Sequence, residues 1–218
     1  MNPDEATAVR EGRTPNYVVR EDASGIVDGF LGWRASRDFD LAGNLAELEV
    51  TDLVAATEDA YRDLWAYLSG IDAVGEITLT DRPVDEPIRW LLPDGRALRQ
   101  TYAGDQLWLR LLDVPAALSA RSYAVSGEVV IEIEDDPLGH ANGRFELAAG
   151  PDGSRCAPTS AAPDLRLSHR VLASTYLGGF SLHELAIGGG VEQLTAGALS
   201  RADVMFAVPQ APWNATSF

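Results

Sequence analysis

Asp85 and Glu86 are adjacent acids in a segment bounded by Pro83 and Pro87. An extended backbone turns successive side chains to opposite sides, so the pair is not placed to share one proton. Each is instead a candidate for binding a cationic substrate. His140, His169 and His183 fall in different predicted elements, and none belongs to an HExxH or paired-ligand spacing, which leaves no zinc signature. Ser181 and His183 lie two apart on a capping segment, and no serine has the Gly-x-Ser-x-Gly setting of a hydrolase nucleophile. Gly188-Gly189-Gly190 leads into Val191-Glu192-Gln193-Leu194 with no lysine, which reads as a turn rather than a phosphate cradle. Cys156, flanked by Gly153-Ser154-Arg155 and Ala157-Pro158, reads as an idle thiol in a loop. The remaining candidate is the carboxylate of Phe218. It is a weak base in water, and apolar surroundings supplied by Phe218 and Trp213 would raise its pKa toward that of a general base.

The totals limit what these groups can serve. A formal charge of -16 opposes binding to a phosphate backbone and suits a cationic small molecule or peptide. The acidity is concentrated early, with 28 acids and 13 bases in residues 1–150 against 5 and 4 in residues 151–218. With 46% apolar and 23% charged residues the composition is that of a globular protein. The sequence contains no apolar run of membrane-spanning length, and its first residues have no export-signal pattern, so the cytoplasm is expected.

The elements that must hold the candidates follow from periodicity. Tyr17–Arg20 and Phe30–Arg34 flank the turn Asp22-Ala23-Ser24-Gly25, and Leu45–Val50 alternates like a half-wet strand. Thr57 caps a helix that carries Leu64, Trp65 and Leu68 on one side and ends at Gly70. Glu76–Thr80 reads as a strand, and Leu107–Leu112 as an extended apolar segment. Asp113 caps a helix over Val114–Ser122, with Pro115 in its first turn. Gly127–Glu134 and Gly143–Ala148 form an antiparallel pair, and Leu165 with Leu167 a short strand. Further helices start at Ser168, Ser181 and Thr195. Residues 1–14 lack periodicity, and a domain boundary is expected near Tyr102–Asp105. The tail from Ala207 to Phe218 is too rich in proline for a helix, but its two aromatics predict a docked terminus.

Asp81–Pro87, Trp90-Leu91-Leu92, Trp108–Leu118, Tyr176-Leu177-Gly178-Gly179 and the ending Ala211-Pro212-Trp213 to Phe218 together resemble the enhanced intracellular survival (Eis) family of GNAT N-acetyltransferases. The likeness runs from about residue 17 to the end. It implies an α+β chain in two parts. Residues 17–103 would be the latter part of a second, cofactor-free GNAT-like α/β domain, and residues 105–218 a sterol-carrier-like α+β domain. The family's acetyl-CoA-binding domain has no counterpart here, nor does the GNAT pyrophosphate loop, so no cofactor is expected in this chain. Acetyl-CoA would serve the full-length enzyme.

The family transfers acetyl groups to amines of aminoglycosides, lysine side chains or other polycationic compounds. By resemblance, the carboxylate at Phe218 takes the general-base role, and family members assemble as homo-oligomeric hexamers. The expectation is therefore a carboxyl-terminal fragment that supplies this carboxylate and the assembly surfaces and is inactive alone. Two other readings are an oligomerisation module and a carrier of hydrophobic ligands.

Overall fold

The computed structural model describes residues 14–37 and 45–215. Within this range contacts divide the chain into two compact units. The first holds residues 14–37, 45–82, 86–101 and Ala215, and the second holds residues 83–85 and 102–214.

The first unit is a four-stranded sheet in the order β1 (Asn16–Glu21), β2 (Val27–Arg37), β3 (Ala46–Ala55), β4 (Val74–Leu79). β1 to β3 are antiparallel, and β4 runs parallel to β3. Asp22 shapes the first hairpin by accepting from the amides of Ser24 and Ile26, with Gly25 at φ +82°. The parallel step needs a crossover, which helix α1 (Glu58–Ser69) provides. Thr57 caps this helix by accepting from the Ala60 amide at 3.1 Å.

The 3.6-residue period puts Leu64, Trp65 and Leu68 against Leu31, Val50 and Leu53 of the sheet, with Ala60 buried on the same side of the helix. Gly29 permits the close approach, since a Cβ there would stand 3.2 Å from both Ala60 Cβ and Leu64 Cδ1. Val19, Phe30 and Val54 are direct cross-strand partners, and all three are exposed. They form an apolar row with water as its neighbour.

The second unit is a five-stranded sheet in the order β7 (Gly153–Pro158), β6 (Gly143–Gly150), β5 (Gly127–Glu134), β8 (Leu165–Ser168), β9 (Val191–Gln193). Its helices are α2 (Val114–Ala120), α3 (His169–Tyr176), α4 (Leu182–Ile187) and α5 (Ala198–Phe206). Strand alternation gathers Val129, Ile131, Ile133, Leu147, Leu165 and Leu167 into one core with Leu118, Leu172, Leu182, Met205 and Phe206 of the helices. On the polar face, register sets Glu132 opposite both Arg144 and Arg166. Its carboxylate accepts from Arg144 Nε at 2.5 Å and from Arg166 Nε at 2.9 Å. These two hydrogen bonds hold the Glu132 carboxyl below the usual carboxylate range.

Leu107–Leu112 lies outside the helices and strands, with only Leu111 of this stretch buried and Trp108 85% exposed. One expectation is corrected: Cys156 lies in a strand rather than a loop. Gly153 at φ +139° turns the chain back directly after β6, and the alternation of β7 points Cys156 into the core.

Candidate functional site

The two acids singled out by sequence are each engaged, and they belong to different units. Glu86 lies in the first unit, where its carboxylate accepts from Arg82 Nε at 2.8 Å and from the Tyr61 hydroxyl. Arg82 also donates to the Leu53 carbonyl at 2.9 Å, so the pair is tied to β3. Burial, followed by the Glu86 carboxylate, pushes the Tyr61 hydroxyl well above the ordinary tyrosine range. Tyr61 is thus a donor to Glu86 and not a proton acceptor at neutral pH.

Asp85 counts with the second unit and is exposed, and its Oδ2 accepts from the Ala211 amide at 2.9 Å. Ala211 lies in the carboxyl-terminal segment that follows α5. This strap is seated on Gly178 and Gly179: a Cβ at Gly178 would meet Val208 Cγ2 at 2.5 Å, and one at Gly179 would meet Pro212 Cγ at 3.1 Å. The strap's root is held by Arg121, whose guanidinium donates to the carbonyls of Tyr176 (2.8 Å), Met205 (3.3 Å) and Phe206 (2.6 Å). The same group lies over the rings of Tyr123 and Phe206 at 4.5 and 4.8 Å.

Trp213 is 45% exposed, and small contacts with Gly178, Gly179 and Asp85 seat the strap. Phe218 lies outside the described residues.

The N-terminus of α1 follows a strand and opens a helix, the setting in which a GNAT would cradle a pyrophosphate. Here acidic side chains gather beside it. Asp28 accepts from the Thr57 hydroxyl at 3.0 Å and pairs with Arg20, while Glu58 and Asp59 stand in the first turn. Each of these acids is paired, Asp28 with Arg20 and both Glu58 and Asp59 with Arg62, and they stand where the positive end of the helix favours negative charge. No glycine stands at the start of this helix, where the pyrophosphate loop of a GNAT carries them.

The other candidates serve structure. The Ser181 hydroxyl and Glu184 form a complete capping box. Gly188–Gly190 end α4, with the Gly190 amide donating to the Leu185 carbonyl at 3.0 Å. His140 lies in the β5–β6 connection, His169 opens α3 and His183 is in α4, and the described residues contain no group of three metal-ligating side chains. A cleft of about 420 Å³ on the second sheet is lined by Glu128, Val129, Val130, Glu146, Asp164 and Arg201. Three carboxylates and a guanidinium make it unlike an apolar ligand cavity. Among the described residues no helix is long and apolar enough to cross a membrane.

Burial, and secondarily Asp113, pushes the Cys156 thiol up to about 11 from its ordinary 9.0. Alkylation by iodoacetamide at pH 8 is expected to be at least about a hundredfold slower in the folded chain than in urea, because the thiolate fraction falls with each unit of pKa. Equal rates in the two states would contradict the burial. Because the folded value is the raised one, stability from this group is complete below pH 9 and is lost as pH rises toward 11.

Two family models cover most of the chain. An acetyltransferase (GNAT) domain matches residues 2–111, and a sterol carrier protein domain matches residues 114–215. The first match begins ahead of residue 17 and does not support the expectation that only a latter part of a GNAT-like domain is present. An uncharacterized N-acetyltransferase of Streptomyces griseus is 40% identical over 200 residues, which is 91% of this chain and 48% of that protein. N-acetyltransferase Eis of Mycobacterium tuberculosis is 39% identical over 184 residues, covering 83% of this chain and 42% of its own length. The crystal structure of Eis1 from Mycobacterium abscessus superposes with a TM-score of 0.83 at 33% identity, covering 99% of this chain and 53% of that one. The chain thus spans about half the length of the curated relatives it matches.

Proposed function

This chain belongs to the Eis-like family of GNAT N-acetyltransferases, and we propose on that premise that it acts as the carboxyl-terminal half of an acetyl-CoA-dependent enzyme that acetylates amines. The acceptors in this reading are aminoglycosides, lysine side chains or polycationic compounds. The observation that carries it is the acidic N-terminus of α1. With Asp28, Glu58 and Asp59 gathered there and no glycine at the helix start, this GNAT-like unit offers a pyrophosphate little, and in this reading the cofactor is held by another domain. Relatives of about twice the length leave room for such a domain.

The chain's own part is then threefold. Its charge of -16 draws a polycation toward the enzyme. The carboxylate at Phe218 removes the proton from the substrate ammonium, which turns the amine into a nucleophile. The surfaces of the two units support a homo-oligomer. Direct substrate binding by Glu86 would require it to leave Arg82 and Tyr61, so Glu86 stabilises the segment while the exposed Asp85 adds to the field met by the amine.

Calorimetry of the isolated chain with acetyl-CoA tests the division directly. No saturable heat is expected up to a concentration on the order of 1 mM, where binding free energy is already weak. A micromolar dissociation constant would overturn the reading. Mass spectrometry after incubation gives a second readout, because all 17 cationic side chains are arginines and the only free amine is at the amino terminus. In the full-length enzyme, adding one glycine after Phe218 is expected to abolish acetylation of a polyamine, and undiminished activity would remove the carboxylate from the mechanism.

A further inference from the structure

We propose that Asp85 is a positioning residue that latches the carboxyl-terminal strap, with Gly178-Gly179 as its seat. The proposal rests on the reading that the chain's end takes part in acetyl transfer, and it assigns the acid of the Asp85-Glu86 pair a task other than substrate contact. Three observations converge on it.

The strap leaves α5 at Ala207, and its described residues belong to no helix or strand. Pro209 and Pro212 remove two amide donors and restrict φ, so the segment is stiff but poorly provided with ladder bonds. Between these prolines, the Ala211 amide finds its acceptor in Asp85, far away in sequence. An ionised acceptor makes this a stronger bond than a neutral pair would give.

The seat is shaped for side chains of the strap. Gly178 has φ +81° and carries Val208 where its own Cβ would be, while Gly179 does the same for Pro212. Any larger residue at Gly178 is therefore strained in backbone and collides with Val208. Arg121 then fixes both the carbonyl that leads into the seat, Tyr176, and those that lead into the strap, Met205 and Phe206.

The consequence for the end of the chain is geometric. With Ala211 latched, the seven residues from there to Phe218 reach at most roughly 25 Å; released at Phe206, twelve residues reach roughly 40 Å. The latch confines the terminal carboxylate to a smaller volume and raises its effective concentration at a fixed target.

Hydrogen–deuterium exchange on this chain, without cofactor or substrate, tests the latch. In Asp85→Ala, exchange of the Ala211 amide is expected to quicken by about tenfold or more, because its acceptor is gone. Asp85→Asn keeps an acceptor oxygen and is expected to retain most of the protection, while Gly178→Val should release the strap with Asp85 intact. Unchanged exchange in both Asp85→Ala and Gly178→Val overturns the latch.

In the full-length enzyme Asp85→Ala is expected to lower kcat with little change in KM, and Asp85→Asn to restore it. Fast exchange with unchanged kcat would overturn the positioning role. These outcomes are separate from that of the glycine extension, which tests the carboxylate itself.

Discussion

Arg110→Ala is expected to cost the second unit about 3 kcal/mol, the lower end for breaking a buried ion pair by removing one partner. The partner left behind is Asp136, whose side chain is fully buried. Its oxygens accept from Arg110, from the Ala141 amide at 2.8 Å and more weakly from the Leu138 amide at 3.4 Å. Two neutral donors do not offset the desolvation of a carboxylate. Arg110 is about one-third exposed, which keeps the loss below the upper end of the range.

Adding Asp136→Asn to Arg110→Ala should recover part of the loss, because a buried amide is less costly than an uncompensated charge. Guanidinium chloride unfolding followed by circular dichroism reads the effect. Equal midpoints for the wild type and Arg110→Ala would show that the pair contributes nothing.

The second large effect is expected at Arg121. Arg121→Ala removes donors from three carbonyls, those of Tyr176 at the end of α3 and of Met205 and Phe206 at the end of α5. Helix ends leave carbonyls without internal partners, and here one guanidinium satisfies two helices at once. With hydrogen bonds to a charged group and stacking on Tyr123 and Phe206, the loss should be about 2–3 kcal/mol. Arg121→Lys should recover less than half, since an ammonium cannot present a planar fork to three acceptors and stack as well. Full recovery by lysine would mean that charge alone matters there. The measurement is the thermal midpoint of the three proteins, together with exchange across residues 207–215.

Local chemistry carried most of the fold in the sequence. Thr57, Asp113, Ser168 and Ser181 were legible as caps because a short polar side chain before an apolar period has a single local use, and each accepts from the expected amide. Strand β9 has only three residues, too few for alternation to register. In the apolar run Leu107–Leu112 only Leu111 is buried, because burial depends on neighbours that local sequence does not specify.

The site was less legible for the same reason. Nothing near Asp85 signals that its partner is a backbone amide at Ala211, and nothing near Asp28 signals that its carboxylate will stand beside the helix begun at Thr57. Arg121 lies between a helix and a strand with no motif around it, and only the assembled second unit brings three carbonyls to it.

The row of Val19, Phe30 and Val54 has a practical side for anyone handling this chain. Its apolar side chains favour sticking between molecules, while the strong negative charge keeps molecules apart as long as that charge is felt over distance. Salt shortens that distance to about 10 Å at 0.1 M. Concentrated stocks are best kept in dilute buffer, and turbidity on adding sodium chloride would trace to this row, with Phe30→Ser as the natural remedy.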